Sequence, residues 1–387
     1  MNVKQAKLVI SVVSLLVVPL PMAQVKPPEE NTAIMSDRQQ RGLRGPVKSC
    51  TEKSTHPGMT DADGKTYPEG QSEYTTEYDV DGRILAMRSR NSDGSQWLRI
   101  YTYDASGHLL KITAGVEGRA ATQTTYTYDQ QGRLQNINDD ARRDSPVVFH
   151  YDERGRKTKI EISRSADYRP NTAVGGSPFH AADRAPNLPG GGSATTIYDE
   201  HDRATEVQVR DANGELVNRA LRVYDAQGHI IEEKQILDNP EAIIPSEARA
   251  KMLDESGLSA DQLQRELRAQ LTKLMAGQSG PYSVSYHYDT YGRVNHTTRR
   301  VFNDEEEIET TYNEHGDTES EITRSTRLTA EADPSTPAPS LPSYSEVRYS
   351  YQYDQHENWT EKAVLYRTSS GGTFQSSTVN KRTLAYY

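Results

Sequence analysis

The stretch Tyr128-Asp129-Gln130-Gln131-Gly132-Arg133-Leu134 decides how this chain folds. Aspartate suits the first position of a type I turn, and glycine supplies the left-handed residue that a three-residue hairpin loop needs at its bulge. The stretch therefore reads as a hairpin tip. Closure between Asp129 and Arg133 sets Tyr128 opposite Leu134 and leaves the aspartate and arginine as a charge pair projecting from the other face. An aromatic-aliphatic pair and an opposite-charge pair each contribute roughly 0.2–1 kcal/mol across strands, so each tip helps to set its own register.

The pattern recurs along the chain. Copies stand at Tyr78-Asp79 with Gly82-Arg83, Tyr103-Asp104 with Gly107-His108, Tyr151-Asp152 with Gly155-Arg156, and Tyr198-Asp199 with Arg203. Others follow at Tyr224-Asp225 with Gly228, Tyr288-Asp289 with Gly292-Arg293, Tyr312 with Gly316, and Tyr353-Asp354. Some depart from the pattern: Asp202 and Glu357 occupy the glycine position, and Tyr312 is followed by Asn313 with Asp317 where arginine is expected. Most neighbouring starts lie about 24 residues apart, and three intervals are longer. Self-similarity at a fixed period means a stacked array of supersecondary units.

The strands that enter the tips alternate with period two, as in Tyr101-Thr102-Tyr103, Tyr126-Thr127-Tyr128 and Tyr286-His287-Tyr288. Tyrosine then forms an inner ladder while polar residues face outward. Composition agrees, because 23 Tyr against 4 Phe and only 34% hydrophobic residues suit a half-wetted sheet better than a thick apolar core. Two strands per unit predict about twenty strands in an all-β antiparallel hairpin repeat array. Pattern alone does not choose between a twisted sheet, a roll and a partial shell.

With these copies in view, the chain resembles the RHS/YD-repeat family, whose unit is an aromatic-x-Tyr-Asp-x-x-Gly-Arg-Leu pattern. The resemblance spans about residues 43–387, the insertions excepted. Leu43-Arg44-Gly45-Pro46-Val47-Lys48-Ser49 is similar to the opening strand of small secreted members. Tyr353-Asp354-Gln355-His356-Glu357-Asn358-Trp359-Thr360 is similar to their closing repeat, with Lys381 to Tyr387 as the last strand. The resemblance implies a non-catalytic binding or surface-structural module whose partner is a carbohydrate, a cell-envelope polymer or a cell-surface protein. It also offers a second reading, a truncated relative of the toxin-enclosing shells built from such repeats. Those look like much longer chains with a variable toxic domain at the end, and about nine units ending inside a repeat favour the module.

The first residues set an address. Lys4 and Lys7 precede an apolar run from Leu8 to Leu20, and Met22-Ala23-Gln24 offers a small-residue cleavage point, the layout of a secretory signal peptide over residues 1–23. A flexible linker is expected over 24–42 and the repeat domain over 43–387. The apolar run, about 13 residues, is short of the roughly 20 that a spanning helix needs, so no membrane span is expected after cleavage. The expected location is periplasmic, outer-surface or extracellular. Net charge is −10, and removing residues 1–23 leaves −12 without a basic cluster, which argues against nucleic acid as a partner. The single cysteine, Cys50, allows no internal disulfide and reads as structural.

Three insertions break the period. Residues 166–194 and 329–345 are rich in proline and glycine or proline alone and read as loops. Residues 239–280 read as helical. There Ser259-Ala260-Asp261-Gln262 is a capping box, and Leu263, Leu267, Leu271 and Leu274 recur on one helical face. Ser246 to Asp254 supplies the partner helix.

Motifs that carry chemistry are sparse. Asp61-Ala62-Asp63-Gly64 and Asp79-Val80-Asp81-Gly82 resemble fragments of calcium loops but lack the later oxygen ligands and the terminal glutamate. The histidines fall singly, without a His-x-x-x-His or Cys-His spacing. No nucleophile elbow, phosphate loop or dinucleotide fingerprint occurs. The expectation is a non-enzyme with no catalytic residue, no cofactor and no metal. Trp97 and Trp359, each near a tip, are the candidates for stacking on a sugar ring.

Overall fold

The computed structural model describes residues 35–60, 66–67, 69–90, 94–140, 146–164, 188, 190–239, 246–274, 282–301, 304–327 and 343–387. The proposed signal peptide lies outside the described residues, as do most of the two loop insertions.

The repeats form a single antiparallel sheet of 20 strands, with the two-stranded ribbon Met59–Thr60 and Thr66–Tyr67 beside it. Each hairpin pairs with the next in chain order. The strand Val47–His56 pairs with Gly70–Tyr78 on one side and with Gln375–Tyr386 on the other. The strand Leu134–Asp139 likewise continues into Val147–Tyr151. The sheet therefore closes on itself as a barrel. Closure is the one arrangement that leaves no unpaired edge to template aggregation, which matters for a sheet of this width. The three outcomes left open by the pattern thus resolve to a closed shell.

Every tip has the expected geometry. At the quoted stretch the Asp129 amide donates to the Arg133 carbonyl at 2.9 Å, the Gly132 amide donates to the Asp129 carbonyl at 3.0 Å, and Gly132 has φ +77°. Tyr128 pairs with Leu134 and the register shifts by one residue just inside it, which is the bulge. Asp202 and Glu357, in the glycine position, take the same left-handed conformation at φ 63° and 61°.

Closure gives the two faces different environments. Above the convex side of a single-layer ring lies mostly water, so fully covered side chains gather on the concave side. Glu233 at 0% exposure, Tyr286 at 2% and Arg222 at 5% share that face with the tyrosine ladder. Apolar clusters sit on the same face, one of Ala194, Val207, Val209 and Ala220, another of Ile230, Tyr282, Val284, Tyr286 and Val294. The opposite face carries charge pairs such as Lys159 with Glu161 and Arg300 with Glu305.

Three expected boundaries shift. Residues 35–42, assigned to a flexible linker, instead form a capped helical turn, Asp37–Gln40, closed by a capping box between Ser36 and Gln39. That turn docks on the first tip: the Arg38 amide donates to the Gly82 carbonyl at 3.0 Å, and Asp37 Oδ2 accepts from the Ile84 amide at 2.8 Å. It thereby caps the array, as terminal units of repeat proteins do. The loop expected to run to 194 ends earlier, because Gly191–Tyr198 is a strand. The Pro-rich stretch likewise gives way to the strand Ser343–Tyr353. The helical insertion contains Ser246–Ser256 and Ala260–Leu274. Its capping box forms, the Gln262 amide donating to Ser259 Oγ at 3.3 Å and the Ser259 amide to Gln262 Oε1 at 2.9 Å. Leu263 and Leu267 are buried, as the helical periodicity required.

Candidate functional site

The repeat residues build a ladder that runs round the rim of the barrel. Within a tip the aspartate is fully used: Asp129 Oδ1 accepts from the amides of Gln131 and Arg133, each at 2.9 Å, and Oδ2 accepts from Arg133 Nε at 2.7 Å. Burial raises such a carboxyl, and the backbone and guanidinium hydrogen bonds outweigh it. Asp79, Asp129, Asp152, Asp199 and Asp289 therefore lie below the usual carboxylate range. At Asp104 the bond from the His108 imidazole is the leading cause of the same depression.

The arginine departs from expectation. Its guanidinium does not project from the far face. It lies over the ring of the next tyrosine in the ladder, Arg133 over Tyr151 at 4.8 Å, Arg203 over Tyr224 at 4.7 Å and Arg293 over Tyr312 at 4.5 Å. Histidine substitutes by stacking, His108 on Tyr128 and His229 on Tyr288, both at 4.7 Å. The covered tyrosine in turn donates its hydroxyl to the backbone of the preceding tip. Tyr128 reaches the Leu109 carbonyl at 2.9 Å, Tyr151 the Leu134 carbonyl at 2.8 Å and Tyr198 the Lys157 carbonyl at 2.8 Å. Each unit is thus locked to its neighbour by a cation or imidazole above the ring and a hydrogen bond at its end.

At the junction of the two chain ends the ladder changes partners and becomes a clasp. Asn358, buried, takes the arginine position and grips Arg44 from both sides: its Oδ1 accepts from the Arg44 amide at 2.7 Å and its Nδ2 donates to the Arg44 carbonyl at 2.8 Å. The Arg44 guanidinium donates to the carbonyls of Glu357 at 2.8 Å and His315 at 2.7 Å. His315 stacks on Tyr353 at 4.0 Å, and the Tyr387 hydroxyl donates to the Tyr78 carbonyl at 2.6 Å. The bonds from Arg44 to Asn358 and Glu357, and from Tyr387 to Tyr78, join positions more than three hundred residues apart.

The enclosed face is aromatic and polar, and many of its charges are matched. Arg222 donates through Nε and Nη2 to Glu233 Oε1 at 3.0 and 2.7 Å, and Tyr286 donates to Oε2 at 2.9 Å. Burial first, and the Glu233 carboxylate second, push the Tyr286 phenol far above its ordinary range. Tyr349 donates to Glu321 at 2.6 Å, and Arg382 donates to Glu52 at 3.0 Å. The two tryptophans also lie here. Trp359 is 9% exposed, with the Arg382 guanidinium 3.4 Å from its ring centre and Lys362 at 5.3 Å. Trp97 is half-buried against the cluster of Leu43, Val47, Tyr78 and Met87, with Arg99 over its ring. Trp359, a candidate stacking ring in the sequence, is therefore a covered packing ring. Cys50 is buried in that same cluster, and burial raises its thiol, in keeping with a structural role. Among the described residues no group of three or more His, Cys, Asp or Glu side chains is arranged to hold a metal, and no helix is long and apolar enough to cross a membrane.

Residues 69–168, which carry the first four tips, match the Teneurin YD-shell family. The YD-repeat resemblance holds. In the closed sheet the repeat residues serve the wall itself. No curated protein matches it. Among solved structures, a porin-like protein from Bacteroides uniformis is 11% identical, covering 88% of this chain and 98% of its own, at a TM-score of 0.32. A second porin-like protein, from Bacteroides vulgatus, is 13% identical over the same shares at a TM-score of 0.14. The architecture of the shell rests on its strand pairing and not on these likenesses.

Sequence reasoning placed the tip residues correctly and missed the clasp, although Asn358 was in view as part of the closing repeat. It also missed a further turn of the same design at Asp211 and Gly214, where no tyrosine precedes the aspartate.

Proposed function

We propose that this chain is an exported, non-catalytic shell at the cell envelope that holds a hydroxyl-rich polymer, a glycan, against its tyrosine face. The observation that carries this reading is the makeup of the enclosed face. Half-buried phenols line it, and many of its carboxylates and guanidiniums are already committed to one another, as at Arg222 with Glu233. Such a surface offers rings and hydroxyls to a sugar and few activated groups to a reaction. The outward rows of lysine, glutamate and arginine favour contact with water over the apolar band that a lipid-facing barrel needs.

Both tryptophans lie on the enclosed face, so their fluorescence reports on it directly. The test is titration of the mature protein with cell-wall and extracellular polysaccharides, followed by the same titration of Tyr126→Ala and Tyr101→Ala after confirming that each folds. The expected result is a saturable spectral change with at least one polysaccharide, weakened in both variants. A glycan-silent protein that co-purifies with a polypeptide guest transfers the assignment to the enclosing-shell reading, which closure of the ring also suits.

A further inference from the structure

We propose that His287 and His296 form a binding site for one divalent transition-metal ion on the outward face of the shell. The two residues are directly opposite across the strands Tyr282–Tyr288 and Val294–Val301, at the last regular pair before the tip bulge. Their ring centres are 5.5 Å apart and the rings meet edge-on at 61°. An imidazole nitrogen sits about 2 Å from a bound zinc, which puts two imidazoles sharing one tetrahedral ion at a centre-to-centre distance of roughly 5 Å. The observed separation fits that arrangement with little movement. His287 is exposed and His296 half-exposed, so an ion reaches them from solvent.

The repeat supplies its own comparison, because every tip has a pair at this position. Where the other pairs are short and polar they meet: Asn136 donates to Thr127 at 3.1 Å, and Thr311 and Ser320 share a bond at 2.8 Å. Polar atoms from the two strands therefore converge here to about the distance that separates two ligands of one metal. Elsewhere the pair is Glu77 with Ala86, or His150 with Lys159, and this tip is where both members are imidazoles.

The surroundings limit the site to two protein ligands. Glu309 lies opposite His296 on the next strand, but its Oε1 is held by Arg324 at 2.7 Å. Thr298 Oγ1 lies 3.4 Å from His296 Nε2 and competes only weakly. Water completes the coordination shell. Neutral nitrogen ligands select zinc, nickel or copper and discriminate against calcium and magnesium, which prefer oxygen. The two histidines are nine residues apart in the chain, and only the hairpin brings them together.

The test uses mature protein without a histidine tag. Calorimetric titration with zinc and nickel should give one equivalent bound, and magnesium none. His287→Gln and His296→Gln should each bind at least ten-fold more weakly, whereas His201→Gln, at an exposed tip, should match the parent. Zinc should raise the melting temperature of the parent and of His201→Gln but not of His296→Gln, and acidification should weaken binding because protons compete for the same lone pairs. Equal affinity in the two site variants, or binding of magnesium as tight as zinc, overturns the proposal, as does a parent that binds neither zinc nor nickel.

Discussion

Replacing Gly132 with valine isolates what a tip glycine does, and Gly155 is its matched control. Both are left-handed, at φ +77° and +82°. That conformation costs an ordinary L residue about 1–2 kcal/mol, and a β-branched residue more. The space around them differs. A Cβ at Gly155 meets nothing within 4 Å, whereas at Gly132 it comes to 3.1 Å from His108 Nε2 and 3.3 Å from Cε1. The imidazole cannot simply yield, since its Nδ1 is 2.9 Å from Asp104 and its ring stacks on Tyr128. Disturbing that stack forfeits about 0.5–1.5 kcal/mol. Gly155→Val should therefore cost roughly 1–3 kcal/mol, and Gly132→Val about 1 kcal/mol more. Gln130→Ala, at the exposed part of the same tip, should stay within about 0.5 kcal/mol of the parent. Urea unfolding followed by fluorescence and circular dichroism measures all three, provided the slope against denaturant is unchanged. Repeating the pair in a His108→Ala background closes a double-mutant cycle, and there the two glycine variants should cost the same. The reasoning fails if Gly132→Val is as stable as Gln130→Ala, or if the excess survives loss of the imidazole.

The clasp gives a second expectation. Asn358→Ala orphans both backbone groups of Arg44 and should lower stability by about 2–4 kcal/mol, with hydrogen exchange speeding up first over Leu43 to Val47. A third concerns one rung of the ladder: Tyr151→Phe removes the bond to Leu134 but keeps the ring under Arg133, so thermal melts should show a loss of about 0.5–1.5 kcal/mol, and a larger loss would mean that the ring itself had moved. The fourth is a pH dependence. Burial pushes the Glu346 carboxyl up, but hydrogen bonds from Tyr344, Arg367 and Arg348 outweigh it and hold the group at about 2. Because the folded value lies below the unfolded one, its contribution is complete above about pH 4.5 and fades as pH falls towards 2. Glu346→Gln should thus be less stable than the parent at pH 7, with the gap narrowing across that window; a gap that widens on acidification would reverse the assigned sign.

What the chain itself determined is local. The turn at Asp129 and Gly132 spans four residues, and its geometry follows from one carboxylate that accepts three bonds and one residue that tolerates positive φ, so every copy could be read without its neighbours. Strand number and the tyrosine-in alternation followed from period and spacing for the same reason. The helical turn at Ser36 to Gln39 was equally local and was passed over because it preceded the first repeat. The tertiary structure decided the rest. Whether the sheet stayed open or closed depended on the strand Val47–His56 meeting Gln375–Tyr386, a pairing across nearly the whole chain that no local pattern encodes. Closure then made the tyrosine face the inner one, which turned Trp359 from a candidate platform into a covered packing ring. It also set the stagger between neighbouring hairpins, and that stagger carries Arg133 onto Tyr151 instead of out into solvent. His287 and His296 show the same division on a smaller scale: each is one unremarkable histidine in the chain, and the register of a single hairpin makes them a pair.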